Sequence, residues 1–204
     1  MKRVDPESIG LLLIDVQPFF LEGWMAGAFE PFMARTEHLL GLATAYRLPV
    51  IATFEQPVEK KGWLPDRLEP WFPLTAQKLT KQTFDCTGEQ EIREAIAAVG
   101  VTQFAVAGGE TDVCVLQSVL GVLDMGYEVF LLEDALFSEE PNTGPALRRM
   151  ELAGAIPSTV KTLHYEFRQS VAAPKTKDLL AVAGSETMMR DPEDLPDGPA
   201  QASR

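Results

Sequence analysis

The apolar positions of this chain fall into short unbroken runs, separated by longer stretches with helical spacing. Residues 8–16 (SIGLLLIDV) are apolar almost throughout and close on a carboxylate. A run of that length without polar alternation suits a strand buried on both faces of a parallel sheet. Residues 48–54 (LPVIATF), 102–107 (TQFAVA) and 127–135 (YEVFLLEDA) share that character, and residues 156–160 (IPSTV) form a shorter one. Between them the spacing predicts helices over 31–47, 87–99, 113–126 and 143–155, with a terminal helix near 163–172. Pro31 suits a first helical turn, acidic residues lead the 87–99 segment, and Gly100 and Gly126 stand where helices should stop. Thr111 or Asp112 is expected to cap the helix that carries Cys114. Alternation of strand and helix predicts an α/β fold. The expected form is a three-layer α/β/α sandwich, Rossmann-like, with a mostly parallel sheet and helices on both faces.

Two stretches interrupt the alternation. Residues 17–30 read as irregular and aromatic, and residues 55–73 form a Pro- and Trp-containing connection too apolar for a plain linker, hence a functional loop. From Gly184 the composition shifts to three prolines, no aromatics and five acids against two arginines. That predicts one domain over residues 1–183 and an acidic tail over 184–204, either mobile or lying on a neighbouring subunit.

At 204 residues with 46% hydrophobic content, the chain can bury a real core without disulfides or a structural metal. Its 30 acids against 18 bases give a formal charge of −12, which disfavours nucleic acid and anionic membrane as partners. Two cysteines, Cys86 and Cys114, and two histidines, His38 and His164, supply neither a disulfide framework nor a familiar zinc set. No metal and no cofactor is expected. The N-terminus lacks the apolar stretch of a secretory signal, and no apolar run reaches bilayer length, so a cytoplasmic location is expected.

In open α/β sheets, ligands gather beyond the carboxyl ends of the strands. Three polar groups fall there: Asp15, the GGETDVC turn, and Glu133 with Asp134. Cys114 lies near a helix start, where backbone N–H groups favour a thiolate and should lower its pKa. With no histidine nearby in sequence, Asp15 is the available base. Each piece also has an ordinary explanation. A single buried cysteine commonly packs as a small hydrophobe, an Asp after a strand commonly closes a turn, and Lys81 alone reads as a solvated surface lysine. Phosphate and dinucleotide loops are missing, since neither GxGxxG nor GxxxxGK[ST] occurs, and there is no GxSxG elbow.

The combination says more than its parts. LLLIDVQPFF, KQTFDCTG and VAGGETDVCVLQSVLGVLDMGYEVFLLEDAL together resemble the isochorismatase-like cysteine hydrolase superfamily, from about Ile9 to about Val171. The resemblance is closest to a branch whose substrates are largely unassigned. It implies a catalytic triad of Asp15, Lys81 and Cys114, with Lys78 as the alternative lysine. Asp15 takes the thiol proton, Lys81 balances charge, and Cys114 attacks a carbonyl carbon to form a thioester as a small amide-like C–N bond breaks. It also implies a cis peptide between Gly109 and Glu110, and an oxyanion hole built from the N–H groups of Glu110 and Cys114. The Glu110 side chain should then point away from the reacting carbonyl.

Family nicotinamidases carry a histidine-containing metal element after the second strand. The corresponding TFEQPVEKKGW has no histidine, which argues against that activity. Gln17, Phe20, Glu55, Gln56 and Phe84 are the expected substrate contacts, within a wider set of loop aromatics that includes Phe19, Trp24, Trp63 and Trp71. The expected partners are a small-molecule substrate and further copies of the chain. Vinyl-ether or ester hydrolysis at the same site, or an idle oligomeric scaffold, are the rival readings. In a scaffold, Cys114 would alkylate no faster than Cys86.

Overall fold

A computed structural model describes residues 3–176 and 178. Its centre is a six-stranded sheet: β1 (Ile9–Ile14), β2 (Val50–Glu55), β3 (Gln77–Lys81), β4 (Gln103–Gly109), β5 (Glu128–Phe137) and β6 (Ile156–Ser158). The strand order is β3-β2-β1-β4-β5-β6, and every neighbouring pair is parallel. The expected α/β/α sandwich is therefore present, with an entirely parallel sheet. The central strand β1 is buried along its whole length, which its unbroken apolar run required.

Successive β1 residues feed opposite cores. Ile9, Leu11 and Leu13 face α2 (Phe29–Ala45) and α7 (Val160–Arg168). Leu12 and Ile14 face α4 (Gln90–Ala98), α5 (Leu116–Asp124) and α6 (Gly144–Ala153). The two histidines, 126 positions apart in sequence, meet inside the first layer. His38 Nε2 on α2 and His164 Nδ1 on α7 lie 2.9 Å apart, buried and stacked.

Several expectations need correction. The interval 17–30 contains a short helix, α1 (Pro18–Gly23), and the loop 55–73 contains α3 (Val58–Lys61) and a single tight turn at Glu69–Trp71. The strand β3 was not expected at all. It is an edge strand of sequence QKLTK, exposed over its first half, so it lacks the apolar run that marks the inner strands. The helix expected from Thr87 begins at Gln90, after a separate turn at Cys86–Gly88. Neither Thr111 nor Asp112 caps the Cys114 helix. The Thr111 hydroxyl donates to the Phe137 carbonyl, and Asp112 accepts from Ser138, so both tie the turn to β5. The tail over 184–204 lies outside the described residues. No helix among the described residues is long and apolar enough to cross a membrane.

Candidate active site

Strand register brings the candidate groups together. Ile14 pairs with Thr53 and Glu55 pairs with Lys81, so the carboxyl ends of β1, β2 and β3 finish side by side. Asp15 follows β1 at φ 49°, a left-handed conformation that Asp tolerates better than most residues. Its carboxylate accepts from the Thr53 hydroxyl at 2.9 Å and lies 2.6 Å from the Lys81 ammonium. From the other side, β4 ends at Gly108-Gly109 and a wide helical turn over Thr111–Val115 carries Cys114 inward. Lys81 Nζ lies 3.5 Å from Cys114 Sγ and also donates to the Thr83 carbonyl at 3.1 Å.

Two glycines at the end of β4 make this approach possible. Gly108 has φ 114°, and a Cβ there would stand 2.0 Å from the Ile14 carbonyl oxygen of β1. Gly109 lies against the Phe137 ring, where a Cβ would come within 2.4 Å. The Gly109–Glu110 peptide is cis.

The electrostatics follow from burial. Desolvation opposes the Lys81 charge, but the neighbouring Asp15, Cys114 and Glu55 outweigh it, so the lysine is held protonated above its usual value. Burial pushes the Asp15 carboxyl up, and Lys81, Thr53 and Cys114 pull it back only in part. Burial also raises the Cys114 thiol, helped by the negative charges of Asp15 and Glu55 and opposed by Lys81. This reverses the expectation of a lowered cysteine pKa. Backbone dipoles at a helix start favour a thiolate, but here two carboxylates converge on a buried sulfur and oppose one. The resting group is a thiol beside a carboxylate made more basic by its own burial.

Above Cys114 opens a cavity of about 500 Å³. Phe19, Phe20, Trp24, Phe84 and Val113 form its apolar wall. Glu55, Lys61, Glu110 and Glu139 supply its charges. A larger hollow of about 790 Å³, beside Arg3, Thr159 and Lys161, shares no residue with this one. Burial raises the Glu110 carboxyl, as do Asp112, Glu139 and Glu55, against a backbone hydrogen bond from Glu139.

Of the expected contacts, Phe20, Phe84 and Glu55 line the cavity, and Gln17 and Gln56 do not. Gln17 is fully buried. Its amide donates to the Glu55 and Gly62 carbonyls, at 3.2 and 2.7 Å, and accepts from the Glu55 N–H at 2.7 Å. It braces the end of β2 from beneath. Gln56 faces outward, bonded to Thr80 and Gln82. Lys78 pairs with Glu69 at 2.7 Å on the surface, so Lys81 is the lysine beside Asp15 and Cys114. Asp134 is structural. It accepts from the Val160 N–H at 2.8 Å and lies 3.5 Å from Arg35 Nε. Trp63 packs edge-on against Phe54, and Trp71 against the core. Sequence reasoning missed Thr53, Lys61 and Glu139, which are ordinary polar residues with no motif around them.

The ligand atoms of Asp15, Glu55 and Cys114 lie within 4.8 Å of one another, a spacing that a metal ion could bridge. The Lys81 ammonium already stands among them, 2.6 Å from Asp15, 3.5 Å from Cys114 and 4.0 Å from Glu55. A second cation in that cluster would be repelled by the first.

Residues 10–162 match the isochorismatase domain model. The chain belongs to the isochorismatase family. Among its relatives is "Isochorismatase family protein 1B" of Dictyostelium discoideum, 25% identical over 183 residues that cover 88% of each chain. Among solved structures, the YcaC gene product of Escherichia coli, an octameric hydrolase of unknown specificity, superposes with TM-score 0.80 at 26% identity. That match covers 90% of this chain and 89% of the other. YcaC from Pseudomonas aeruginosa, solved with hexane-2,5-diol and covalent acrylamide, superposes with TM-score 0.78 at 25% identity, over 88% of this chain and 90% of the other. The match makes this chain an isochorismatase-like hydrolase by family.

Proposed function

We propose that this protein is a cysteine hydrolase that cleaves a small amide-like C–N bond through a thioester on Cys114. The observation that carries the reading is the Lys81 ammonium, buried 2.6 Å from Asp15 and 3.5 Å from Cys114 at the floor of an aromatic cavity. Besides its hydrogen bond to the Thr83 carbonyl, this buried cation holds a carboxylate and a sulfur together, which an apolar core residue filling the same space would not do. Acrylamide captures nucleophiles by conjugate addition at its double bond, so the covalent acrylamide in the Pseudomonas aeruginosa relative supports a reactive nucleophile in this fold.

In this mechanism the substrate carbonyl enters above Cys114, with its oxygen toward the N–H groups of Glu110 and Cys114. Asp15 takes the thiol proton as sulfur attacks, and Lys81 balances the negative charge that develops on the sulfur beside Glu55. The N–H donors hold the developing oxyanion. Protonated Asp15 returns its proton to the leaving nitrogen, the C–N bond breaks, and water hydrolyses the thioester.

Glu110 and Glu139 leave the cavity with excess negative charge, since Lys61 already pairs with Glu55. An uncharged or cationic substrate with an apolar group fits it best, and a dicarboxylate fits it worst. The octameric Escherichia coli relative and the half-exposed aromatics at the cavity mouth support a homo-oligomer, which light scattering checks.

The deciding experiment is alkylation with iodoacetamide followed by mass mapping. Cys114 lines the cavity and should label well ahead of Cys86, which is fully buried away from it. Equal, slow labelling of both would support the idle scaffold instead.

A further inference from the structure

Two carboxylates flank the Cys114 sulfur, and they differ in what else they touch. Asp15 is closed off. Its side chain is 1% exposed, its oxygens face Thr53 and Lys81, and it does not line the cavity. Glu55 is open. Its side chain is 15% exposed, it lines the cavity, and its Oε2 lies 3.5 Å from Cys114 Sγ. Its Oε1 is paired with Lys61, whose ammonium in turn sits 5.4 Å over the Phe20 ring. The Glu55 backbone is pinned by both ends of the Gln17 amide. One oxygen is thus held by Lys61 while the other is aimed at the sulfur, on a strand end tied to Gln17.

We infer that Glu55 is a second catalytic carboxylate, which holds and deprotonates the water that hydrolyses the thioester. This rests on the proposal that Cys114 is acylated. Once the acyl group is on sulfur, the attacking water has to arrive from the cavity, and Glu55 is the carboxylate that both faces the cavity and reaches the sulfur. The step balances. An O–H bond of water breaks and its proton goes to Glu55, while the hydroxyl oxygen bonds to the acyl carbon. The C–S bond then breaks, its electron pair returns to Cys114 beside Lys81, and the free acid leaves. Glu55 gives its proton to the sulfur across the 3.5 Å contact, which restores both thiol and carboxylate. Asp15 thereby serves thioester formation and Glu55 serves its breakdown.

The test uses p-nitrophenyl acetate as probe in stopped flow, with intact-mass analysis of the quenched protein. In Glu55→Gln the initial burst of nitrophenolate should persist, while steady-state turnover falls by about 100-fold or more, the usual worth of a positioned base. An acetyl adduct on Cys114 should accumulate in that variant. The deacylation rate lost in Glu55→Gln should partly return in Glu55→Asp. Cooperative urea unfolding like that of the parent confirms that the variant is folded. Unchanged turnover, or burst and turnover slowed by the same factor, would overturn the assignment. A parent protein that never forms a Cys114 adduct would instead overturn the nucleophile proposal on which it rests, and a burst without an effect of Glu55 would leave that proposal standing.

Discussion

Lys81 holds its ammonium 2.6 Å from an Asp15 oxygen with no side-chain exposure, so neither member of the pair can be removed singly without leaving an uncompensated buried charge. Lys81→Met should therefore abolish turnover and also cost about 3–5 kcal/mol of stability, read by urea unfolding. Cys114→Ala removes only a sulfur from a site that is 3% exposed, so the fold should survive while turnover drops by about 10⁴-fold or more. A purified Cys114→Ala protein with normal activity would refute the nucleophile assignment. Glu110 differs from both. Its carboxyl is raised by burial and by Asp112, so the folded state binds that proton more tightly than the unfolded chain does. Stability from this group is then present at acid pH and lost as pH rises through the raised pKa. Glu110→Gln should accordingly melt higher than the parent at pH 7 and show little difference at pH 4. Its activity should stay near that of the parent, since the proposed oxyanion contact uses the Glu110 backbone.

Among the elements, the junction of β1 and β4 sets the geometry of everything above it. Gly108 combines φ 114° with a backbone approach that would put a Cβ 2.0 Å from the Ile14 oxygen. Gly108→Ala should cost on the order of 2–4 kcal/mol, because backbone rather than a movable side chain must give way. Activity should fall with it, since Asp15 follows Ile14 directly and the Cys114 turn follows β4. The same reasoning explains why β3 matters although its sequence is unremarkable. An edge strand needs apolar residues on only part of its length, so QKLTK carries no strand signal, yet its pairing with β2 sets Lys81 beside Glu55. The β5 strand shows the opposite case. Its register against β4 slips between Val106 and Gly108, and Asp134 in that stretch is drawn to Arg35 and Val160 instead of the site.

For the whole molecule, charge has a direct consequence. A formal charge of −12 surrounds a cavity whose own charged lining is Glu55, Lys61, Glu110 and Glu139. Like-charge repulsion should slow anionic reagents at Cys114. Iodoacetate should lag behind iodoacetamide there by at least about tenfold more than it does with a small free thiol, an effect equivalent to roughly 1.4 kcal/mol. Added salt should narrow the gap, because exposed charges are screened. Equal ratios for Cys114 and the free thiol would remove the basis for an uncharged substrate.

The unbroken apolar runs by themselves determined the parallel sheet and its two helical layers, because a strand buried on both faces must be apolar at every position. The residue pattern around Asp15, Lys81 and Cys114 was likewise legible, since the resemblance fixes those positions in one dimension. Tertiary structure alone decided what surrounds them. Whether the sulfur sits among dipoles or among carboxylates depends on strand register and on which oxygen each side chain turns inward. That is why the raised Cys114 thiol ran against expectation and why Gln17 proved to be a brace. The partition between Asp15, sealed by Thr53 and Lys81, and Glu55, open to the cavity, arises from differences of a few ångströms in burial. Sequence spacing carries no record of such differences, because desolvation depends on atoms brought in from elements far apart along the chain.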